Sequence, residues 1–189
     1  TQFASSAASD VYKRQGDTEG ADRLSQEATQ AIIDAKNDYT KAIENITVHD
    51  NGKNRAFRYT NRGTMYKILG KRDSAIADYD IAISLDDGLY QLYVNRGQLY
   101  EQQGKADLAL QDYNRSIALM PSYEGCYSRG VFYLRRAQYE QAKNDFTTAI
   151  NKNPHDPRLF NLRAQAFDGL GQKQRAQQDR AQAQTLQGK

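Results

Sequence analysis

YTNRGTMYKILGKRDSAIADYDIAISL (residues 59–85) decides how the rest of the chain is read, because it comes back three times. It returns as YVNRGQLYEQQGKADLALQDYNRSIAL (93–119), as CYSRGVFYLRRAQYEQAKNDFTTAINK (126–152) and as FNLRAQAFDGLGQKQRAQQDRAQAQTL (160–186). The anchors Gly63, Gly97, Gly130 and Ala164 stand 34, 33 and 34 apart, so the phase survives through four units. A period of this length is the mark of stacked supersecondary units, none of which can bury its own apolar face alone.

Within a unit the apolar residues recur at spacings of 3, 4 and 7, which is helical. The first half carries large residues such as Tyr59 and Tyr66, and the second half pairs small with large, as in Ala75, Tyr79 and Ala82. Gly70, Gly104 and Gly171 fall between the halves, where a helix C-terminus wants left-handed backbone; Ala137 fills that place in the third unit. Gly63 with Ala75, Gly97 with Ala109 and Gly130 with Ala142 let two antiparallel helices approach closely. Arg62 with Asp78, Arg96 with Asp112, Arg129 with Asp145 and Arg163 with Asp179 are each 16 apart and centred on the turn. A hairpin brings both members to the same height, about 12 Å from the turn at 1.5 Å per residue, so an ion pair inside most units is expected.

These residues resemble the tetratricopeptide repeat, whose 34-residue unit has an aromatic at position four, Gly or Ala at eight, Tyr at eleven, Ala at twenty, an aromatic at twenty-four, Ala at twenty-seven and Pro at thirty-two. Tyr59, Gly63, Tyr66, Ala75, Tyr79 and Ala82 fit in the first unit, and Tyr93, Gly97, Tyr100, Ala109, Tyr113 and Pro121 in the second. Cys126 takes an aromatic position, Asp87 a proline position and Arg180 the second-helix aromatic of the last unit. The resemblance implies an all-α solenoid of antiparallel helix pairs wound as a right-handed superhelix. Its four repeats fall at 56–89, 90–122, 123–156 and 157–189, and the Arg in the Gln-rich helix 172–187 suits a solvated C-terminal cap.

Upstream, Ala35, Tyr39 and Ala42 have the spacing of a second helix, so 16–55 is expected to hold a single long helix or a degenerate repeat, followed by a loop at HDNGKN (49–54). Residues 1–15, TQFASSAASDVYKRQ, have no helical period and read as a disordered leader that resembles a translated adaptor remnant. The compartment therefore stays unassigned: a soluble protein, cytoplasmic by default and periplasmic if a signal peptide precedes Gly16. No run of eighteen apolar residues is present, so no membrane span is expected.

Composition narrows the chemistry. Hydrophobic residues make up 39% and charged residues 26%, with 3 prolines and no Trp, which suits helices better than strands. The 13 tyrosines fit a thin structure in which most side chains lie near a surface. Cys126 is the only cysteine, which excludes an intramolecular disulfide and a cysteine-rich metal site. His49 and His155 are expected in loops, far apart in sequence, and with Cys126 make no ligand set. Gly70-Lys71 and Gly104-Lys105 lack the spacing and the hydroxyl residue of a phosphate loop. No nucleophile with a base, no metal set and no cofactor loop is visible, so neither an enzyme nor a cofactor is expected. The alternative class is nucleic-acid binding through the C-terminal end, where Arg158, Arg163, Lys173, Arg175, Arg180 and Lys189 face only Asp168 and Asp179. Against it, the aromatics occupy repeat-core positions and do not interleave with the basic residues as a stacking groove requires.

The resemblance implies a protein-interaction scaffold whose first helices take a partner peptide or helix in a concave groove. The inner face uses repeat positions two, five, six and nine, a spacing that forms one stripe on a helix. Here these are Phe57, Thr60, Asn61 and Thr64; Gln91, Val94, Asn95 and Gln98; Glu124, Tyr127, Ser128 and Val131; and Arg158, Asn161, Leu162 and Gln165. Only Glu124 and Arg158 are charged. Asn61 and Asn95 could each offer a donor and an acceptor to a peptide bond, and Tyr127, Val131 and Leu162 an apolar anchor. The family's carboxylate clamp for chaperone tails is not reproduced, because Ser128 and Leu162 interrupt the Lys, Asn and Arg ladder.

Overall fold

The computed structural model describes residues 18–47 and 50–188. Among them every regular element is a helix: α1 (Thr18–Glu44), α2 (Gly52–Ile68), α3 (Arg72–Leu85), α4 (Tyr90–Gln102), α5 (Ala106–Leu119), α6 (Tyr123–Arg135), α7 (Tyr139–Lys152), α8 (Pro157–Gly169) and α9 (Lys173–Gln187). They fall into two compact units divided between Asp86 and Asp87, α1–α3 in the first and α4–α9 in the second. The leader expected at 1–15 lies outside the described residues, as do His49 and Lys189.

In the first unit α2 and α3 form an antiparallel pair, and α1 packs against α2. The stretch 18–44 is one continuous helix. The loop expected through Asn54 ends earlier, because Asn51 caps the next helix: its side-chain oxygen accepts the Asn54 backbone N–H at 2.8 Å. One orphan donor of the first turn is thereby satisfied, and Gly52–Asn54 become helical. Arg58 holds the incoming chain, donating to the Ala42 carbonyl at 2.9 Å and to both oxygens of Asp50 at 2.9 and 3.2 Å.

In the second unit α4/α5, α6/α7 and α8/α9 are the pairs, and each pair hands on to the next in the same way. The second helix of one pair packs on the first helix of the next, α5 on α6 and α7 on α8, while α4, α6 and α8 also touch one another in series. The first helices therefore form one face of this unit.

Four identical turns close the pairs. The N–H groups of Lys71, Lys105, Gln138 and Gln172 reach back to the carbonyls of Tyr66, Tyr100, Tyr133 and Phe167 at 2.8–3.0 Å. That six-to-one bond needs a left-handed residue before it. Gly70, Gly104 and Gly171 supply it at φ of 72°, 74° and 72°, and Ala137 is driven to φ 56°. A Cβ in that region crowds the following carbonyl, so the third turn is strained.

All four expected Arg–Asp pairs form, each with two parallel bonds. Arg Nε donates to one carboxylate oxygen and Nη2 to the other, with Nη2 distances of 2.7 Å in Arg62–Asp78, Arg96–Asp112, Arg129–Asp145 and Arg163–Asp179. The Asp side chains are only 4–9% exposed. Each guanidinium is also flanked by rings one turn away on its own helix. Arg62 lies 5.5 and 5.8 Å from the Tyr59 and Tyr66 centroids, Arg96 lies 5.8 and 5.6 Å from Tyr93 and Tyr100, and Arg163 lies 5.7 and 5.8 Å from Phe160 and Phe167. Arg129 keeps only Tyr133, at 5.7 Å, because Cys126 occupies the other ring's place; its Nη1 donates to Asn114 of α5 at 2.7 Å, as Arg163 Nη1 donates to Thr147 of α7 at 3.3 Å.

Above this layer sit Tyr79, Tyr113 and Phe146, each 0% exposed. A Cβ on Gly97 would lie 2.9 Å from the Tyr113 ring, so the ring needs a bare backbone opposite it. In the last pair both partners change together: Ala164 replaces the glycine, and Arg180 replaces the ring and turns outward to an ion pair with Asp168.

Two outcomes follow from this packing. Ala137 is exposed, so Ala137→Gly loses no contact and is expected to stabilise the protein by about 0.5–1 kcal/mol in urea unfolding, as relief of left-handed strain outweighs the added chain entropy. Asp112→Ala leaves Arg96 facing a buried site and is expected to cost about 3 kcal/mol; adding Arg96→Met to it should cost little more, which a double-mutant cycle measures.

Candidate partner-binding face

The turns and ion pairs orient the first helices. With Arg96, Tyr93 and Tyr100 turned toward α5, the stripe at positions two, five, six and nine of α4 is turned away from it, and α6 and α8 repeat the arrangement. How far each stripe residue reaches solvent depends on the neighbouring pair.

Gln91, Glu124, Arg158 and Gln165 are exposed, while Asn95, Gln98, Tyr127, Val131, Asn161 and Leu162 are half-buried. Val94 and Ser128 are 4% and 5% exposed and belong to the packing between helices. Ser128 Oγ accepts from Gln98 Nε2 at 3.0 Å, a bond that ties α4 to α6. Tyr127, Val131 and Leu162 pack against one apolar cluster that also contains Phe146, Ile150, Leu159 and Phe160. Tyr127 further stacks on Tyr123, with centroids 5.9 Å apart and an interplanar angle of 22°.

Arg158 is 70% exposed by side chain yet tightly held. Its Nε donates to both Asp156 oxygens at 3.0 and 3.2 Å, and its Nη2 donates to Asp156 at 2.8 Å and to the Tyr123 hydroxyl at 3.1 Å. Tyr123 in turn donates to Asp156 at 2.7 Å, and Asp156 caps α8 through the Arg158 backbone N–H at 2.9 Å. These bonds, the Arg158 side chain first, lower the Asp156 carboxyl to about 2.

In the first unit Phe57 is 60% exposed and Asn61 half-buried. Thr60 and Thr64 bond their own helix, donating to the Ala56 and Thr60 carbonyls at 2.7 and 2.9 Å.

The stripe continues one turn further than the repeat positions suggest. Glu101 and Gln102 on α4, with Arg135 and Arg136 at the end of α6, join Gln98, Tyr127 and Val131 around a pocket of about 640 Å³. Sequence reasoning stopped at position nine and missed them; the signal was the next i+4 step, from Gln98 to Gln102 and from Val131 to Arg135.

The remaining candidates sit elsewhere. Cys126 is 1% exposed, and burial followed by the charge of Asp145 pushes its thiol up to about 11, which leaves no thiolate at neutral pH. His155 lies in an exposed turn. Among the described residues no group of three or more His, Cys, Asp or Glu side chains is placed to hold a metal ion. Among the same residues no helix is long and apolar enough to cross a membrane. At the C-terminal end Arg158, Arg163 and Arg180 are each paired with a carboxylate, and Phe160 and Phe167 are buried, so the basic surplus is not a row of guanidinium groups beside exposed rings.

Paired helices closed by one turn type, with an amide-rich stripe on the first helices, define a helical-repeat protein. Two family models described as tetratricopeptide repeat match residues 58–88 and 90–123. The chain therefore carries tetratricopeptide repeats over these residues. Among solved structures it is similar to MamA, at 19% identity and TM-score 0.69, with 95% of this chain and 94% of that one covered. It is also similar to BtubC (BKLC) from P. vanneervenii, at 16% identity and TM-score 0.70, covering 95% and 77%. A tetratricopeptide repeat protein from Parabacteroides merdae ATCC 43184 aligns at 20% identity and TM-score 0.64, covering 97% and 79%. At these identities the likeness is one of fold. No curated protein matches the sequence.

The bracket between Arg158 and Asp156 generates a pH prediction. The folded carboxyl titrates near 2, below its ordinary 3.8, so its contribution is complete above the ordinary value and disappears as pH falls toward 2. Between pH 4 and pH 2 wild type is expected to lose more thermal stability than Asp156→Asn, as followed by circular dichroism melts.

Proposed function

We propose that this protein is an interaction scaffold whose first-helix face in residues 87–189 receives an extended or helical segment of a partner protein. Tetratricopeptide repeats supply protein-interaction scaffolds in general, and the family match supports that role here. One observation carries the finer reading: Tyr127, Val131 and Leu162, on adjacent first helices, are half-buried and pack against one apolar cluster, on a face whose repeat positions also hold Asn95 and Asn161.

Each element of that strip has a use. Half-buried rings and branched side chains give up the rest of their water on contact, releasing roughly 25 cal/mol per Å² of apolar area. Asn95 and Asn161 can each donate and accept, which suits a peptide backbone and adds little sequence preference. Gln91, Glu124 and Gln165 form the exposed rim. Gln98 and Ser128 contribute by fixing α4 to α6, and Val94 contributes to packing. In their own unit Phe57 and Asn61 occupy the same repeat positions, and Phe57 is open for contact. The scaffold role needs no catalytic group and no cofactor.

Site-directed photo-cross-linking in the source organism tests this. With p-benzoylphenylalanine at Gln165 on α8, a discrete protein adduct is expected, absent when the label sits at the exposed Gln111 of α5 and reduced at least fivefold by Tyr127→Ala in a folded protein. Equal adducts from both positions would falsify the assignment of the binding face.

A further inference from the structure

We propose that the pocket at the C-terminal ends of α4 and α6 selects partners carrying an acidic side chain next to an apolar one, seating that carboxylate on Arg135. The proposal rests on the reading of the first-helix face as the partner-binding surface and names the chemistry that surface prefers.

The argument begins with Glu101. Its carboxylate accepts from the Tyr113 hydroxyl at 3.0 Å and from Arg135 Nη1 at 3.1 Å, and Arg136 Nη1 lies 3.7 Å away. The Glu101 side chain is 15% exposed. Two guanidinium groups thus surround one carboxylate, and the pocket wall keeps a net positive charge. Neutral Tyr113 does not change that balance: burial first, then the nearby Glu101 charge, raises its hydroxyl well above the usual phenol range.

The two arginines are not equivalent. Arg136 is committed to packing, with its guanidinium carbon 3.6 Å from the Phe132 ring centroid and its Nη1 donating to the Phe132 carbonyl at 3.2 Å. Arg135 is 67% exposed and projects at the mouth, anchored to Glu101 through a single nitrogen. A guanidinium has five N–H donors in a planar fork, which leaves Arg135 able to hold a second carboxylate while keeping Glu101. Glu101 thereby positions Arg135 rather than neutralising the site.

Next to Arg135, at the i−4 and i−8 steps of the same helix, the lining is apolar. Tyr127 and Val131 line the same pocket and belong to the strip on which a partner's apolar residue would rest. At about 640 Å³ the pocket has room for a carboxylate side chain and its neighbour. Charge complementarity at Arg135 and half-buried apolar surface one and two turns before it select the pair together.

A phage library of random heptapeptides, each fused through its C-terminus so that no terminal carboxylate is free, tests the proposal on the full chain. Enriched sequences are expected to carry Glu or Asp beside an aromatic or aliphatic residue. Synthetic, fluorescein-labelled versions with amidated C-termini should then lose at least tenfold in affinity when their acidic residue becomes Gln, or when the protein carries Arg135→Gln. Arg135→Lys should recover part of the loss, and the Gln peptide should be indifferent to Arg135→Gln. Circular dichroism melts keep folding and binding apart. Binders that lack an acidic residue, or that ignore Arg135→Gln yet weaken with Asn161→Ala/Gln165→Ala, overturn the pocket and leave the groove standing. A library without binders, or binders insensitive to every one of these changes, overturns both.

Discussion

A carboxylate buried between two helices is the constraint to which the rest of each repeat answers. Asp78, Asp112, Asp145 and Asp179 sit in the second helices at 9% exposure or less, where an unpaired charge would cost several kcal/mol. The paired Arg must therefore arrive at the same height on the first helix, with both of its bonds in the carboxylate plane. A shift of one residue along either helix would break the fork, so the pair selects the register of the hairpin as well as closing it. The rings at i−3 and i+4 then cover the guanidinium, and three of the four repeats use two of them.

That register also decides which way the first helices face. With the Arg and its flanking rings turned inward, positions two, five and six are turned from the second helix and position nine lies at its edge, Thr64 Oγ1 being 3.2 Å from the Tyr79 hydroxyl; unit 87–189 sets three such stripes side by side. The stripe is polar without being strongly charged, which lowers the desolvation cost of laying a peptide on it. Its extension by one turn adds to the Arg158–Asp156 pair a second charged group, around Glu101, Arg135 and Arg136. The direction in which this face points is thus a by-product of how the hairpin is locked.

The layer above the ion pairs shows how the repeat tolerates change. Tyr79, Tyr113 and Phe146 each need a glycine opposite, and the last pair abandons both members at once, with Ala164 and Arg180. Replacing only the glycine would put a Cβ within about 3 Å of the ring. The third repeat differs in another way: Cys126 gives up one ring over Arg129, whose Nη1 still bonds Asn114 of the preceding repeat, as Arg163 Nη1 bonds Thr147.

The amino-acid sequence by itself determined the helix pairs, the turn positions and all four Arg–Asp pairs, since each is set within a unit by spacings of 3, 4, 7 or 16 residues. The stripe came from the resemblance to the tetratricopeptide repeat, and helical period adds only that its four positions share a face. Tertiary structure decided how deep each stripe residue lies. Val94 and Ser128 are lost to packing, Gln98 is bound to Ser128 thirty positions away, and Glu101 meets Arg135 thirty-four positions away. The start of α2 at Gly52 was likewise settled by the Asn51 side chain finding the Asn54 N–H rather than by periodicity. Periodicity fixes direction around a helix axis; burial and charge pairing depend on the next helix pair, whose distance of approach no single unit encodes.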